Sequence, residues 1–113
     1  MNSESYDRQM TAEVAETIER AADLIETGGL TKGEYSNSQG AHCLLGALGT
    51  VASTVFEYGR ATEEVARRIA GAEGYNPEWG FAYIVGYNDE PTRTQSEVVD
   101  MLKTIAKDIR NDL

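Results

Sequence analysis

From Tyr35 to Phe56 the chain carries no Asp, Glu, Lys or Arg. Elsewhere charge is plentiful, so a gap of this length must be shielded from water by the rest of the chain. Its apolar part begins at Cys43. Leu44, Ala47, Leu48, Val51, Ala52 and Val55 recur at helical spacing, and Leu45 and Phe56 widen the arc. The pattern predicts a helix over about Cys43–Tyr58, apolar nearly all round and therefore placed in the middle of a bundle. Gly46, Gly49 and Ser53 share its remaining face. Glycine inside a helix costs up to ~1 kcal/mol against alanine, so small residues here imply that another backbone approaches closely. The stretch is too short and too polar to span a bilayer.

The flanking segments supply amphipathic partners for this rod. A first helix is expected over about Thr11–Thr27, capped by Thr11, with Val14, Ile18, Ala21, Ala22 and Ile25 as its apolar stripe. Gly28-Gly29 would end it, because glycine readily takes the left-handed conformation of a helix end. A short helix over about Ala61–Ala72, capped by Thr62, turns Val65, Ala66 and Ile69 inward. Asn76-Pro77 opens another element. Trp79–Tyr87 has an ambiguous period: Phe81, Tyr83, Val85 and Tyr87 alternate as in a strand. The Asn-Pro start and the lack of a partner strand favour a helix. The last helix opens on the capping box Thr94-Gln95-Ser96-Glu97. It buries Val98, Val99, Leu102, Ile105, Ala106 and Ile109, and carries Lys103, Lys107 and Arg110 toward its negative end.

The expected fold is therefore all-α, a compact bundle of four to five helices with a Gly/Ser-rich loop after the first helix. A chain of 113 residues fits one domain. Residues 1–10, polar and without an apolar repeat, read as a flexible N-terminal tail, and residues 11–113 as a single helical domain.

Nineteen acidic residues against ten basic ones give a net charge of −9. Direct binding to nucleic acid backbones is disfavoured, because phosphate contacts need an excess of Lys and Arg. An anionic membrane surface is disfavoured for the same reason. The acidity favours instead a protein with a basic patch. Glu13, Glu16, Glu19, Asp23 and Glu26 lie on one side of the first helix and form the candidate protein-binding surface, weighed against a merely solvated face. Asn88, Asp89 and Arg93 form a second, polar candidate in the loop before the last helix. The alternative there is a turn that sets up the helix, with Asp89 bonding loop amides or Arg93.

His42-Cys43 invites a catalytic reading, since a Cys at a helix start can be acidified and a His could activate it. Consecutive helical side chains point about 100° apart, however. The pair reads as a small buried cysteine and a histidine near a helix start. A single Cys excludes an internal disulfide and fits a reducing compartment. One His and one Cys make no zinc site without several carboxylates, and no EF-hand, phosphate-loop or dinucleotide pattern occurs. No catalytic residue, metal or cofactor is assigned, and no secretion signal is apparent.

Several short motifs, in order, resemble a family of small uncharacterised proteins of actinobacteria and their phages. That family shows Ala-Ala-x-Leu-Ile, Gly-Trp-x-Gln-Gly, Cys-x-x-Gly-Ala-Leu, Trp-Asn-Asp and Arg-Thr-x-x-Glu-Val. The matching stretches are Ala21-Ala22-Asp23-Leu24-Ile25, Gly29-Leu30-Thr31-Lys32-Gly33, Cys43-Leu44-Leu45-Gly46-Ala47-Leu48, Tyr87-Asn88-Asp89 and Arg93-Thr94-Gln95-Ser96-Glu97-Val98. They span roughly residues 12–106. Leu30 and Tyr87 stand where the family has Trp, and Lys32 where it has Gln. The resemblance implies a compact helical domain in the cytoplasm of a bacterial or phage-infected cell, and it supplies no activity.

Three functions are compatible with the sequence. The first is a small acidic non-enzymatic binding protein, phage-encoded in one version, acting on a host protein through an acidic or polar surface. The second is a small enzyme or ligand-binding domain with a pocket near Cys43, Asn88, Asp89 and Arg93. The third is a homo-oligomeric structural protein joined through Gly46, Gly49 and Ser53 or through the Trp79 region.

Overall fold

The computed structural model describes residues 3–71 and 73–113. Among them it contains α1 (Ser3–Gly28), α2 (Leu44–Val51), α3 (Val55–Ala70), a 3-10 turn (Pro77–Trp79), α4 (Gly80–Asp89) and α5 (Gln95–Asn111), and no named strand. The all-α bundle expected from the sequence is the observed fold.

The central rod is α2. Leu44, Leu45, Ala47 and Leu48 are buried in it, and Val51 is half-buried. Around it, α1 packs along α5 and against α2, while α3 packs on α4 and α1. The stripe Val14, Ile18, Ala21, Ala22 and Ile25 is buried in full, as are Val98, Val99, Leu102, Ile105, Ala106 and Ile109 of α5. The Thr94 capping box is formed from both sides, with the Thr94 hydroxyl accepting the Glu97 N–H and the Glu97 carboxylate accepting the Thr94 N–H.

Three boundaries differ from expectation. The first helix starts at Ser3, not Thr11. The Thr11 hydroxyl caps nothing and donates to the Asp7 carbonyl one turn back, at 2.8 Å. Residues 3–10 were expected as a tail because they lack an apolar stripe, yet that stripe reports burial rather than helicity. Tyr6 to Gln9 are exposed, and burial begins at Val14. Met1 and Asn2 lie outside the described residues.

The second difference lies inside the apolar run. One helix over Cys43–Tyr58 was expected, but Ala52 leaves helical geometry (ψ 134°) and Thr54 starts a new helix. The Thr54 hydroxyl accepts the Glu57 N–H at 3.0 Å, and the Glu57 carboxylate accepts the Ser53 N–H at 3.1 Å. This reciprocal capping of free helix-end amides outweighs continuation of the helix. Val55 and Phe56, expected in the buried arc, consequently stand in solvent, Val55 at 88% exposure. The third difference follows. The helix expected over Ala61–Ala72 is the second half of α3, which ends at Ala70 before Gly71. Thr62 is not its cap but a buried residue that donates to the Tyr58 carbonyl. Ala72 lies outside the described residues.

Asn76 caps the 3-10 turn at Pro77 and leads into α4, so Trp79–Tyr87 is helical rather than extended. The close approach anticipated at Gly46 is real. The Tyr35 carbonyl packs so tightly there that a Cβ would lie 2.0 Å from its oxygen. At Gly46 that face is thus covered by the chain's own loop, whereas Gly49 and Ser53 are exposed.

Candidate functional site

The loop between α1 and α2 folds back on itself. Gly29, at φ +102°, turns the chain out of α1, a conformation that favours glycine. The His42 N–H then bonds the Gly29 carbonyl at 3.0 Å, and the Cys43 N–H bonds the Tyr35 carbonyl at 3.0 Å. Asn37 Oδ1 accepts the N–H groups of Gln39 and Ala41. The loop is therefore a shaped surface, with several of its backbone donors and acceptors paired within it.

Asn88 fastens this loop to α4. Its side chain is 1% exposed. Oδ1 accepts the Leu44 N–H at 3.0 Å, and Nδ2 donates to the Thr31 carbonyl at 3.0 Å and to Asp89 Oδ1 at 2.9 Å. Asp89 Oδ1 also accepts the Gly33 N–H at 3.1 Å. From the loop side, Lys32 Nζ donates to the carbonyls of Glu90 (2.6 Å), Arg93 (2.8 Å) and Pro91 (3.3 Å), a full set of partners for an ammonium group. Arg93 lies over the Tyr87 ring, 3.7 Å from its centroid, bonds the Tyr87 carbonyl through Nε, and pairs with Glu97. Burial raises the Tyr87 hydroxyl pKa, and the Arg93 charge opposes that shift. Asn88, Asp89 and Arg93, expected as a polar recognition loop or a turn, thus share a clasp. Asp89 does bond a loop amide, though that of a loop 56 residues away. The clasp gathers four of the five motif stretches: 29–33, 43–48, 87–89 and 93–98.

Beside the clasp, residues of the loop and α4 enclose a cleft of about 250 Å³. Cys43, Leu45, Ile84 and Val85 form its apolar wall with Tyr35, while Glu34 and Asp89 bring carboxylates to it; no lysine or arginine lines it. Of the four residues expected around a pocket, Cys43, Asn88 and Asp89 line this cleft, and Arg93 does not.

His42 and Cys43 are engaged separately. His42 Nδ1 lies 3.1 Å from the Gly40 carbonyl, while Cys43 caps α2, its Sγ accepting the Gly46 N–H at 3.3 Å. Cys43 is buried. Burial raises the hydroxyl pKa of nearby Tyr58, with Tyr35 and Cys43 adding to the effect. Among the described residues no three His, Cys, Asp or Glu side chains are grouped to hold a metal ion.

The acidic side of α1 is largely engaged within the chain. Glu26 pairs with Lys103 of α5 at 2.7 Å, Glu19 pairs with Arg110 of α5, and Glu16 pairs with Arg20. Glu13 accepts from Gln9, and Asp23 is exposed close enough to Lys103 to raise its pKa, after the larger effect of Glu26. These pairs are solvent-exposed and contribute little to stability, and each places a cation beside one of the acids.

An uncharged, exposed helix face that stripe-based sequence patterns do not reveal is formed by α4. From Gly80 to Tyr87 α4 bears no charge, yet only Ile84 and Asn88 of the helix are buried. Phe81 and Val85, one turn apart, are exposed, and Phe81 stacks on Tyr58 of α3 with ring centroids 6.3 Å apart. Exposed Val55 and Phe56 begin α3, and exposed Tyr35 borders the cleft next to Val85. A wider groove on the far side of Phe81, lined by Gly59, Tyr75, Pro77 and Ala82, extends this surface. The signal for it is the absence of charge across residues 80–87.

No helix among the described residues is long and apolar enough to cross a membrane. No curated protein and no solved structure matches the chain. The model of DUF6197, a family of unknown function, matches residues 10–108, a span that takes in the whole clasp and cleft. The chain belongs to that family.

Proposed function

We propose that this chain is a small acidic binding protein that docks on another protein through the outer face of α4, with the neighbouring cleft and the start of α3. The observation that carries this reading is the uncharged helix Gly80–Tyr87, which leaves Phe81, Ala82, Val85 and Gly86 in water. A helix apolar all round ordinarily sits inside a protein, and a contiguous exposed apolar patch marks a contact surface. Aromatic side chains are enriched in such contacts.

Charge selects the partner. Glu34 and Asp89 line the cleft and Glu63 and Glu78 the groove of this face, and a net charge of −9 disfavours a second copy of the chain against it. The partner is therefore a protein with an apolar contact and a basic rim. Its setting is taken as the cytoplasm of a bacterial or phage-infected cell, which the motif resemblance supports.

A ligand-binding domain is the second reading, favoured by the cleft beside Cys43, Asn88 and Asp89. The cleft, at about 250 Å³, is smaller than the roughly 300–1,000 Å³ of pockets that enclose drug-sized ligands, and docking of a protein is preferred.

Photo-cross-linking tests the preferred reading. A benzophenone side chain at position 81 should trap one discrete protein from the native cell, and V85D in the same chain should abolish the adduct. A probe at position 16 on the acidic side should trap nothing. Equal or exclusive trapping from position 16 would transfer the docking role to α1.

A further inference from the structure

The cleft between residues 33–35 and α4 differs chemically from the rest of the exposed face. Its wall is aliphatic, from Leu45, Ile84 and Val85, and the Tyr35 side chain borders it. Its charged lining groups are Glu34 and Asp89. Asp89 Oδ1 is occupied by the Gly33 N–H and the Asn88 carboxamide, which fixes the carboxylate at the cleft margin. Glu34 receives the Thr31 hydroxyl at 2.8 Å and is likewise held near the loop. The cation nearest in the chain, Lys32, is turned to the carbonyls of residues 90, 91 and 93 and is not among the lining groups. The groove beyond Phe81 offers no such contrast, because Arg67 pairs with its Glu63 and lies over its Tyr75 ring, 4.6 Å from the centroid.

We infer that this cleft receives one aliphatic side chain of the partner, with a lysine or arginine next to it in sequence reaching Glu34 and Asp89. The occupant is thus a short peptide segment of basic-aliphatic-basic type. The cleft has room for a leucine-sized side chain, its aliphatic wall favours burying one, and the two carboxylates reject an acidic neighbour. This rests on the docking surface proposed above and specifies which part of it discriminates between partners.

The test uses the full chain, labelled with 15N, titrated with three blocked tripeptides: Ac-Lys-Leu-Arg-NH2, Ac-Glu-Leu-Glu-NH2 and Ac-Lys-Ala-Arg-NH2. The first should shift the amide signals of Leu45, Val85 and Asp89 with a Kd of about 1–10 mM. The acidic peptide should bind at least about fivefold more weakly, from the exposed ion pairs it lacks, and the alanine peptide about tenfold more weakly, from the lost apolar burial. E34Q, which keeps the fold's buried contacts, should weaken the first peptide several-fold. Shifts confined to the α1–α5 side, equal binding of the acidic peptide, or no shift at about 10 mM would each overturn the assignment. Loss of the cross-linked partner in V85D without tripeptide binding would remove the cleft's role and leave the docking face standing. Tripeptide binding with the partner retained in V85D would do the opposite.

Discussion

Asn88 Oδ1 accepts the Leu44 N–H at 3.0 Å, joining α4 to the first turn of α2 across 44 residues of chain. The same side chain donates to Thr31, so one buried carboxamide ties the loop, the central helix and the candidate surface together. N88A would leave a buried N–H and a carbonyl without partners, each costing about 1–3 kcal/mol. The expected loss is about 2–4 kcal/mol, read as a lower urea midpoint with an unchanged slope. A loss below about 0.5 kcal/mol would mean that water replaces the clasp.

Gly46 and Gly49 sit one turn apart on α2 and should respond in opposite ways. A Cβ at 46 meets the Tyr35 carbonyl at 2.0 Å, whereas one at 49 meets only the Tyr58 ring at 3.5 Å. G46A should destabilise by about 1–3 kcal/mol through overpacking. G49A should be neutral or stabilising by up to about 1 kcal/mol, since alanine favours the helix. Paired urea unfolding curves decide this, and equal responses would contradict the packing of Tyr35 on α2.

Acid should weaken the fold through two carboxylates at the α4–α5 junction. The Thr94 N–H, then its hydroxyl and Arg93, hold the Glu97 pKa below the usual carboxylate value. The Thr92 hydroxyl does most to lower that of Glu90. A folded pKa below the unfolded one means that the unfolded chain binds more protons in the window between them. The stability these groups contribute is complete above the ordinary value of 4.5 and is lost as pH falls through the depressed folded values. The urea midpoint should drop between pH 5 and pH 3, and E97Q should shrink that drop. An unchanged pH profile in E97Q would contradict the capping box as its source.

Local chemistry made much of this architecture legible. The stripe of α1, the stop at Gly28-Gly29, the Thr94 box and the Asn76-Pro77 opening all depend on residues within a turn or two of each other. The break at Ala52–Thr54 was equally local, because Thr54-Val55-Phe56-Glu57 has the same spacing as the Thr94 box, but the apolar period running through it masked the signal. The polar start of α1 was hidden because an exposed helix has no stripe. The site was less legible, since its contacts are distant in sequence. Asp89 with Gly33, Lys32 with the turn at 90–93, and Glu19 with Arg110 are juxtaposed only once the bundle has formed. Nothing in the order of residues showed that Glu19 and Glu26 of α1 face α5, or that Phe81 and Val85 of α4 stay exposed.

Because the Glu16–Arg20 pair within α1 and the Glu19–Arg110 pair between α1 and α5 are exposed and screened, E16K and E19K together should leave the melting temperature nearly unchanged and should not alter partner binding. Calorimetry at 50 and 500 mM salt would check this. A large loss of stability confined to low salt would show that these pairs hold the helices together.

Docking through the outer face of α4 is tested most directly by one affinity comparison. With the partner trapped from position 81 purified, its Kd would be measured by titration calorimetry against the native chain, F81S/V85S and E16K/E19K. Docking there predicts at least about a tenfold loss for F81S/V85S, with helicity retained, and no change for E16K/E19K. Native affinity in F81S/V85S, together with lost affinity in E16K/E19K, would contradict it.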